Sequence, residues 1–238
     1  MRNFDTTKSL FGNHRAATIL HHLRAYQSKG LSLVASSSFQ TQSVPLLHIL
    51  STLDEPVPII FINTGYLFPE TLIFRDQIVD SLGLQLIEVR PSISKSEQRD
   101  AEGRLLYVNH PSRCCELNKV EPMGRVLAGF DVWISGVRSD QTTARRLLKL
   151  EQPGPSGVTR YHPMLDWSAE DIEHYRITED LPAHPFAARG IVSVGCEPCT
   201  TMTIDACAGH RSSRWRGRAK TECGLHTELA QADGESNR

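Results

Sequence analysis

The sequence predicts an α/β fold in which helices cover both faces of a parallel, twisted sheet. Apolar strands alternate with helical segments between residues 31 and 90, and a fourth strand is expected at 132–137. The connections between these segments are short, and strands that alternate with helices in this way form parallel sheets. Beyond residue 150 the alternation fades, which indicates a C-terminal appendage and not a second full domain.

Each element is predicted from a local pattern. Apolar residues at helical spacing, a capping Asn13 and a closing Gly30 predict the first helix, at 12–28. A second helix is predicted at 69–83, where Gly83 ends the periodic pattern. The remaining predicted elements are strands at 31–36, 57–64, 84–90 and 132–137 and helices at 43–50 and about 114–127.

The C-terminal part of the chain has a different composition and a less regular pattern of predicted elements. Residues 151–157 are typical of a loop, and 166–175 are predicted to form a helix capped by Ser168, with Asp171 three residues later. From Leu181 onward Pro, Gly, Cys and Arg accumulate. The predicted organisation is an α/β domain over residues 1–206 and a mobile C-terminal segment over 207–238.

Composition excludes several classes of protein. The 26 Lys and Arg residues nearly balance the 27 Asp and Glu residues, which argues against a nucleic-acid coat or a polybasic membrane binder. No apolar stretch is long enough to span a bilayer. The first residues lack the apolar segment of a signal peptide, so we expect a cytoplasmic protein.

Ligands of open parallel sheets bind at the carboxyl ends of the strands. This rule points to the ends of four predicted strands, at 36–39, at 63–65, after Arg90 and at 136–138. The candidate binding residues are Ser36, Ser37, Ser38 and Phe39 after the first strand, Thr64 and Gly65 after the second, and Gly136 with Arg138 after the fourth.

Four of the six cysteines form two close pairs, Cys114 with Cys115 and Cys196 with Cys199. Adjacent helical residues point about 100° apart, so both members of the first pair can bind only a broad group. An iron–sulfur cluster, a zinc ion, or buried or redox thiols are compatible with the spacing, and the cluster is favoured. Cys207 is interpreted as structural.

Cys223 lies close to the C-terminal end, with Lys220, Glu222 and His226 as neighbours. Cations favour the thiolate, which is the nucleophilic form of cysteine. The basic stretch 210–220 is suited to closing over a phosphate or sulfate. The alternatives are an incidental exposed cysteine and a solvated surface run of charges.

Five segments stand in the order in which they occur in one family. They are NTGYLFPET (63–71), CCELNKVEPM (114–123), ISGVRSDQTTAR (134–145), SVGCEPCT (193–200) and KTECGLH (220–226). Together they resemble segments of the assimilatory adenylyl-sulfate (APS) and phosphoadenylyl-sulfate (PAPS) reductases. The resemblance covers about Ser32 to His226. It implies a Rossmann-like fold of the adenine nucleotide α-hydrolase type, with the catalytic cysteine on the C-terminal appendage.

The resemblance also implies an activity and a cofactor. Family members that carry both cysteine pairs bind a [4Fe–4S] cluster and typically reduce APS, and those without them use PAPS. The implied reaction begins with attack of Cys223 on the sulfur of APS, which releases AMP and leaves an S-sulfocysteine. Thioredoxin then releases sulfite by thiol exchange. Family members are often dimers or tetramers, so a homo-oligomer is considered as well.

Individual site residues follow from the matching motifs. Lys119 matches a lysine between cluster and substrate, and His226 accompanies the catalytic Cys223. The residues that match positively charged substrate contacts are Arg145, Arg211 and Arg214. The implied cluster ligands are Cys114, Cys115, Cys196 and Cys199.

The sequence departs from the family pattern at several positions. Asn63 replaces a frequent aspartate, Asn118 replaces a common arginine, and the loop 36–43 has no glycine. This loop leaves open a PAPS reductase, or an enzyme that accepts both substrates. A non-catalytic iron–sulfur sensor of adenine nucleotides is a further alternative, against which the Cys223 motif argues.

Overall fold

The computed structural model describes residues 6–191, 193–202, 213–215, 222 and 224–227. Its centre is a six-stranded sheet with the order β3-β2-β1-β4-β6-β5. All neighbouring strands are parallel except β5 and β6, which are antiparallel. The strands are β1 (Leu33–Ser36), β2 (Ile59–Ile62), β3 (Leu86–Val89), β4 (Val132–Ser135), β5 (Glu151–Pro153) and β6 (Thr159–Tyr161).

The α-helices vary from one turn to six turns. They are α1 (Thr6–Ser28), α2 (Val44–Ser51), α3 (Pro69–Leu82), α4 (Leu106–Asn109), α5 (Pro111–Cys115), α6 (Glu121–Leu127), α7 (Thr143–Arg146), α8 (Ala169–Thr178) and α9 (Gly224–Thr227). Short 3₁₀ helices lie at Thr41–Ser43, Ser139–Gln141, Pro155–Gly157, Pro185–Arg189 and Glu197–Cys199, and a π-helical turn at Glu116–Val120. None of the helices in the described ranges has the length and apolarity needed to cross a membrane.

The two faces of the sheet carry separate apolar cores, which confirms the predicted layers. One core joins strand residues such as Phe61 and Ile134 to the helices α1, α2, α3 and α8. The opposite core packs Val34 and Trp133 against Met123 and Leu127 of α6. The central strands β1, β2 and β4 are almost continuously apolar because both their faces are buried.

Two of the predicted capping signals are confirmed and one is wrong: α1 begins at Thr6, so Asn13 lies inside the helix and does not cap it. Gly83 follows α3 in the left-handed conformation at φ 61°, a conformation that favours glycine. The Ser168 hydroxyl accepts a hydrogen bond from the Asp171 backbone, and the Asp171 carboxylate accepts one from the Ser168 backbone, at 3.1 and 2.8 Å. This reciprocal box starts α8, as predicted.

Two further expectations about secondary structure were wrong. Residues 151–157, predicted as a loop, contain β5, which pairs with the unpredicted β6 at the edge of the sheet. Each of these strands has three residues, which is too short for an alternating pattern to stand out. The helix predicted over about 114–127 is interrupted by the π-helical turn 116–120. Pro122 has no N–H to donate to residue 118, so a continuous α-helix cannot pass this point.

Candidate active site

A cleft opens at the carboxyl ends of β1, β2 and β4, where the strand-end rule places a ligand site. Ser36 and Ser37 line it after β1, Thr64 after β2, and Gly136 after β4. Side chains from three further parts of the chain complete its wall. The predicted site residues that line this cleft are Ser36, Ser37, Ser38, Thr64, Gly136, Lys119, Arg145, Arg214 and Cys196.

Three predicted binding residues lie beside this cleft and do not line it. Phe39 is fully buried against Phe61, with their ring centroids 5.6 Å apart. Arg138 is 1 % exposed, and its guanidinium pairs with Asp140 at 3.0 Å. Gly65 is exposed and has φ 72°, a turn conformation that favours glycine. These residues shape the loops at the strand ends.

Side-chain hydrogen bonds stabilise the loop that follows β1. The Ser36 hydroxyl accepts a hydrogen bond from the Trp133 indole at 2.8 Å, and the Ser37 hydroxyl accepts one from the Phe39 backbone at 3.0 Å. The second bond stabilises Phe39 in its left-handed conformation, at φ 51°. Gln40 accepts a hydrogen bond from the Val194 backbone at 2.9 Å. The loop therefore keeps its shape without a glycine and is tied to the segment that leads into Cys196.

The unusual Asn63 is matched by a partner on β3. Its amide nitrogen donates to Glu88 at 3.2 Å, and its amide oxygen accepts from the Gly65 backbone at 3.1 Å. Burial acts to raise the pKa of Glu88, but hydrogen bonds from Arg90 and Asn63 hold this pKa below its usual value. An aspartate at position 63 would face this ionised carboxylate. Sequence reasoning did not find Glu88, since nothing in the sequence pairs it with residue 63.

The four paired cysteines meet around one small cavity next to the cleft, here called the cysteine cavity. Cys114 and Cys115 reach it from α5, and Cys196 and Cys199 reach it from the start and the end of a single 3₁₀ turn. All four are free thiols. Lys119 lines both the cleft and the cysteine cavity. The structure thus brings together the residues that spacing alone had grouped into two distant pairs.

The electrostatics of the cysteine cavity reflect this convergence. Burial raises the pKa of the Cys114 thiol to about 11, and the neighbouring Cys196 and Cys199 add to the effect. Lys119 and a hydrogen bond from Asn118 act to lower the same pKa. Within the described ranges, no three His, Cys, Asp or Glu side chains are placed to hold a metal ion. The four thiols therefore line one cavity from two separate turns.

Asn118 is a site residue that sequence reasoning treated only as a departure. Its amide exchanges two hydrogen bonds with Gln98, at 2.6 and 3.0 Å, in a buried pair. The same amide nitrogen donates to the Cys114 carbonyl at 2.8 Å and lies 3.6 Å from the Cys114 sulfur. The pair therefore fixes the π-helical turn and directs an N–H group at a cysteine.

The described residues 213–215 pack against the turn at 196–199, here called the cysteine turn. The Ser213 hydroxyl donates to the Ser193 carbonyl at 2.7 Å, and the Trp215 backbone donates to the Cys199 carbonyl at 3.1 Å. Arg214 donates to the carbonyls of Val194 and Cys199 at 3.0 and 3.3 Å and lies over the Trp215 ring. The predicted arginine at position 214 thus reaches the cleft and also braces the cysteine turn.

Arg145 and Glu222 form a buried ion pair at the edge of the cleft. The Arg145 Nε and Nη2 atoms lie 3.0 and 3.1 Å from the two oxygens of Glu222. Glu222 was named only as a neighbour of Cys223, although it lies within the KTECGLH motif. Cys223, Arg211, Cys207 and the side chain of His226 lie outside the described residues.

Comparisons with known proteins agree on one family. The model of the phosphoadenosine phosphosulfate reductase domain matches residues 32–202. A phosphoadenosine 5'-phosphosulfate reductase of Gloeobacter violaceus is 37% identical over 201 residues, which cover 83% of each chain. An adenosine 5'-phosphosulfate reductase of Chelativorans sp. is 36% identical over 216 residues, which cover 90% of this chain and 86% of that one.

Solved structures support the fold. The phosphoadenylyl-sulfate reductase of Candida auris, in its phosphate complex, superposes with a TM-score of 0.64 at 22% identity, covering 78% of this chain and 94% of that one. An FMN adenylyltransferase of Candida glabrata gives a TM-score of 0.59 at 15% identity, covering 93% of this chain and 79% of that one. The motifs, the cleft at the strand ends and the matched family model lead to one conclusion: the chain belongs to the phosphoadenosine phosphosulfate reductase domain family.

Proposed function

We propose that this protein reduces adenylyl sulfate to sulfite and AMP in assimilatory sulfate reduction, with thioredoxin as the electron donor in the cytoplasm. The observation that carries the proposal is that the strand-end cleft adjoins the cysteine cavity, with Lys119 and Cys196 lining both. A nucleotide cleft next to four thiols suits an adenylylated sulfur substrate. Of the relatives cited above, the one from Chelativorans is named for this substrate.

In the proposed reaction Cys223 is the nucleophile. Its thiolate attacks the sulfur of APS, an S–S bond forms, and the bond from sulfur to the bridging phosphate oxygen breaks as AMP leaves with the electron pair. A thioredoxin thiolate then attacks the Cys223 sulfur and releases sulfite, which carries away the two electrons. The second thioredoxin thiol frees Cys223 and closes the thioredoxin disulfide. His226 is proposed to assist Cys223, as its place in the motif suggests.

Different residues around the cleft would contact different parts of the substrate. Ser36–Ser38, Thr64 and Gly136 lie where strand ends accept a nucleotide. Lys119 and Arg214, with Arg211 from the same basic stretch, would offset the charge that develops on the phosphosulfate as AMP leaves. Phe39, Gly65 and Arg138 would act through the loops that they shape.

We further propose that the cysteine cavity holds a [4Fe–4S] cluster on Cys114, Cys115, Cys196 and Cys199. Four free thiols around one cavity, on two separate turns, suit a cuboidal group better than a single ion. Asn118 and Thr64 would donate hydrogen bonds to the ligand sulfurs of Cys114 and Cys196. When bound, such a cluster would supply an electrostatic and structural element next to the cleft.

The activity is tested by anaerobic sulfite release with thioredoxin, comparing APS and PAPS at matched concentration. We expect preference for APS in the wild type and no sulfite from Cys223→Ser. Equal or better use of PAPS would make the enzyme a PAPS or dual-substrate reductase and show that the 36–43 loop accommodates a 3′-phosphate. Sulfite production by Cys223→Ser would contradict the mechanism. A wild type that binds nucleotide and releases no sulfite would favour the sensor alternative.

The cofactor proposal is tested by iron and acid-labile sulfide content and by visible absorption. Wild-type protein purified without oxygen should be brown, and Cys196→Ser should lose iron. Cys207→Ser is the matched control, because Cys207 stands outside the proposed ligand set, and it should retain iron. Equal iron content in the wild type and Cys196→Ser would contradict the ligand assignment.

We propose a domain over 1–206 and a segment over 207–238 that carries Cys223 and is mobile when the contacts of Ser213, Trp215 and Glu222 with the domain open. A mobile segment would let Cys223 react with substrate and then with thioredoxin. Limited proteolysis with and without AMP tests this, and faster cleavage beyond residue 206 without AMP is expected. Equal cleavage rates would count against the proposal.

A further inference from the structure

The residue before Cys223 is held by one of the few buried ion pairs of the described part of the chain. Glu222 and Arg145 are 4% and 7% exposed, and both guanidinium contacts are about as short as ordinary hydrogen bonds, at 3.0 and 3.1 Å. Seventy-seven positions separate the two residues. Only the folded chain brings them together.

Each of the three guanidinium nitrogens of Arg145 has a partner in this arrangement. Its Nε and Nη2 atoms contact Glu222, and its Nη1 atom donates to Gln141. Thr142 completes the contact, because its hydroxyl donates to Glu222 at 2.7 Å and accepts from the Arg145 backbone at 3.3 Å. The loop after β4 therefore forms a receptor for one carboxylate on the C-terminal segment.

The chain is also held on the other side of Cys223. Gly224 is buried, and Leu225 packs against the core that contains Trp133. Leu225 and Arg145 both line the cleft. The segment with Glu222 in place thus contributes to the wall of the cleft.

The energetics of buried ion pairs indicate the role of the Arg145–Glu222 pair. A buried ion pair adds little net stability, since desolvation of the two charges offsets their attraction. Its geometry is nevertheless specific, with two parallel N–H···O contacts from a planar guanidinium. Such a pair is suited to fixing the location of a chain segment.

We propose that Glu222 is a positioning residue: its ion pair with Arg145 locates Cys223 at the cleft for attack on the substrate sulfur. The proposal rests on the proposed function, in which Cys223 is the nucleophile. It assigns Arg145 to the segment that carries the thiolate, where the resemblance had assigned it to the substrate. The bound nucleotide is then held by the other residues of the cleft.

The test uses Glu222→Gln, which keeps the shape and the acceptor for Thr142 but removes the charge. The single-turnover rate of S-sulfocysteine formation is measured by mass spectrometry with APS and no thioredoxin, and AMP affinity is measured separately. We expect a rate loss on the order of 10²-fold, the effect of a displaced reacting group, with AMP affinity unchanged. Glu222→Asp, which restores the charge, should recover part of the rate.

Two further variants sharpen the result. Arg145→Lys should slow the same step, and the double variant Arg145→Lys/Glu222→Gln should be no slower than the slower single variant, because the two residues act as one unit. Glu173→Gln is the matched control: it removes the carboxylate of another Glu–Arg pair, 2.7 Å from Arg176 on α8 and outside the cleft lining. It should react at the wild-type rate.

The outcomes separate the two proposals. If the wild type forms no S-sulfocysteine, the proposed function fails. If the wild type forms it and Glu222→Gln matches that rate, the positioning role fails. Tighter AMP binding by Glu222→Gln would show that Glu222 competes with the nucleotide for Arg145, and this result would also overturn the inference. Retained visible absorption and circular dichroism in each variant control for misfolding.

Discussion

The hydroxyl of Thr64 lies 3.3 Å from the sulfur of Cys196, in a buried contact between the end of β2 and the cysteine turn. The same hydroxyl accepts from the Tyr66 backbone at 3.2 Å, and the Tyr66 carbonyl accepts from the Glu197 backbone at 2.7 Å. Two of these hydrogen bonds join the loop after β2 to the turn that carries Cys196, and the third lies within the loop. The cleft and the cysteine cavity share this wall. A displacement of the turn that carries Cys196 would therefore also move the loop after β2.

Lys119 lies where the cleft and the cysteine cavity meet. Lys119→Met tests how much its positive charge contributes to turnover. Removal of one group that stabilises developing charge costs about 10²–10³-fold in turnover, and we expect a loss of this order in sulfite release. Iron content should stay near the wild-type value, because Lys119 is not a proposed ligand. Lys29→Met, at an exposed position beyond α1, is the control. Turnover by Lys119→Met at the wild-type rate would refute the role.

Gly195→Ala tests the packing of Arg214 on the cysteine turn. A Cβ at this position would overlap the Arg214 guanidinium, so the arginine must leave its carbonyl acceptors. We expect a raised KM for substrate, measured by sulfite release at varied APS concentration.

Gly124→Ala provides the comparison for that substitution. Its added Cβ meets nothing within 4 Å, and alanine is favoured over glycine inside a helix by about 1 kcal/mol. This variant should keep its KM and gain a little thermal stability. An unchanged KM in Gly195→Ala would mean that Arg214 can move without loss of substrate contacts.

Arg160 is a buried cation whose removal should stabilise the protein. It is 0% exposed and lies over the Trp133 ring at 4.7 Å, and its three guanidinium nitrogens have no hydrogen-bond partner among the described residues. Burial, with a contribution from Arg145, lowers its pKa to about 10. Replacement of buried charges by apolar residues of similar volume can stabilise by about 1–4 kcal/mol.

We therefore expect Arg160→Met to raise the midpoint of urea unfolding. Arg24→Met, which removes an exposed arginine 3.7 Å from Asp54, should change it little. A lower midpoint for Arg160→Met would mean that the cation–π contact outweighs the desolvation of the guanidinium.

His162 should make stability depend on pH. Burial, with a contribution from Arg160, lowers its pKa to about 3, whereas the pKa of an unfolded histidine is about 6.5. Between these values the unfolded chain binds a proton that the folded protein does not. Stability contributed by neutral His162 is therefore complete above pH ~6.5 and falls as the pH drops toward ~3, by up to about 1.4 kcal/mol per pH unit.

The comparison is with His162→Asn, since an asparagine can keep the 2.8 Å contact with Ser135 without titrating. Urea unfolding from pH 7 to pH 5 should show a shallower loss of stability in this variant than in the wild type. Parallel curves for the two proteins would refute the role of His162.

Local signals in the sequence were sufficient for much of the fold. Gly83 and the Ser168–Asp171 box set helix ends through contacts within a few residues, so each could be predicted without the rest of the chain. The short strand pair β5–β6 could not, because its three-residue strands are held by the neighbouring β4. Propensity carries little information over three residues.

The candidate site, like the fold, could be predicted only in part from the sequence. Strand ends located Ser36, Thr64 and Gly136, since a parallel sheet brings all its carboxyl ends to one edge. Phe39 and Arg138 stand at the same ends, yet their side chains are buried beside the cleft. The direction of a side chain at a strand end depends on the turn that follows, which a pattern of residue types does not specify.

The sequence by itself determined the α/β class, the order of the elements and the thiol and basic residues available for chemistry, because these follow from composition and short-range periodicity. The tertiary structure decided which of them meet. Cys114 and Cys196 share a cavity across 82 positions of the chain, and Arg145 holds Glu222 across 77. Contacts at such separations depend on the packing of the whole sheet and its helices, so no local pattern can encode them.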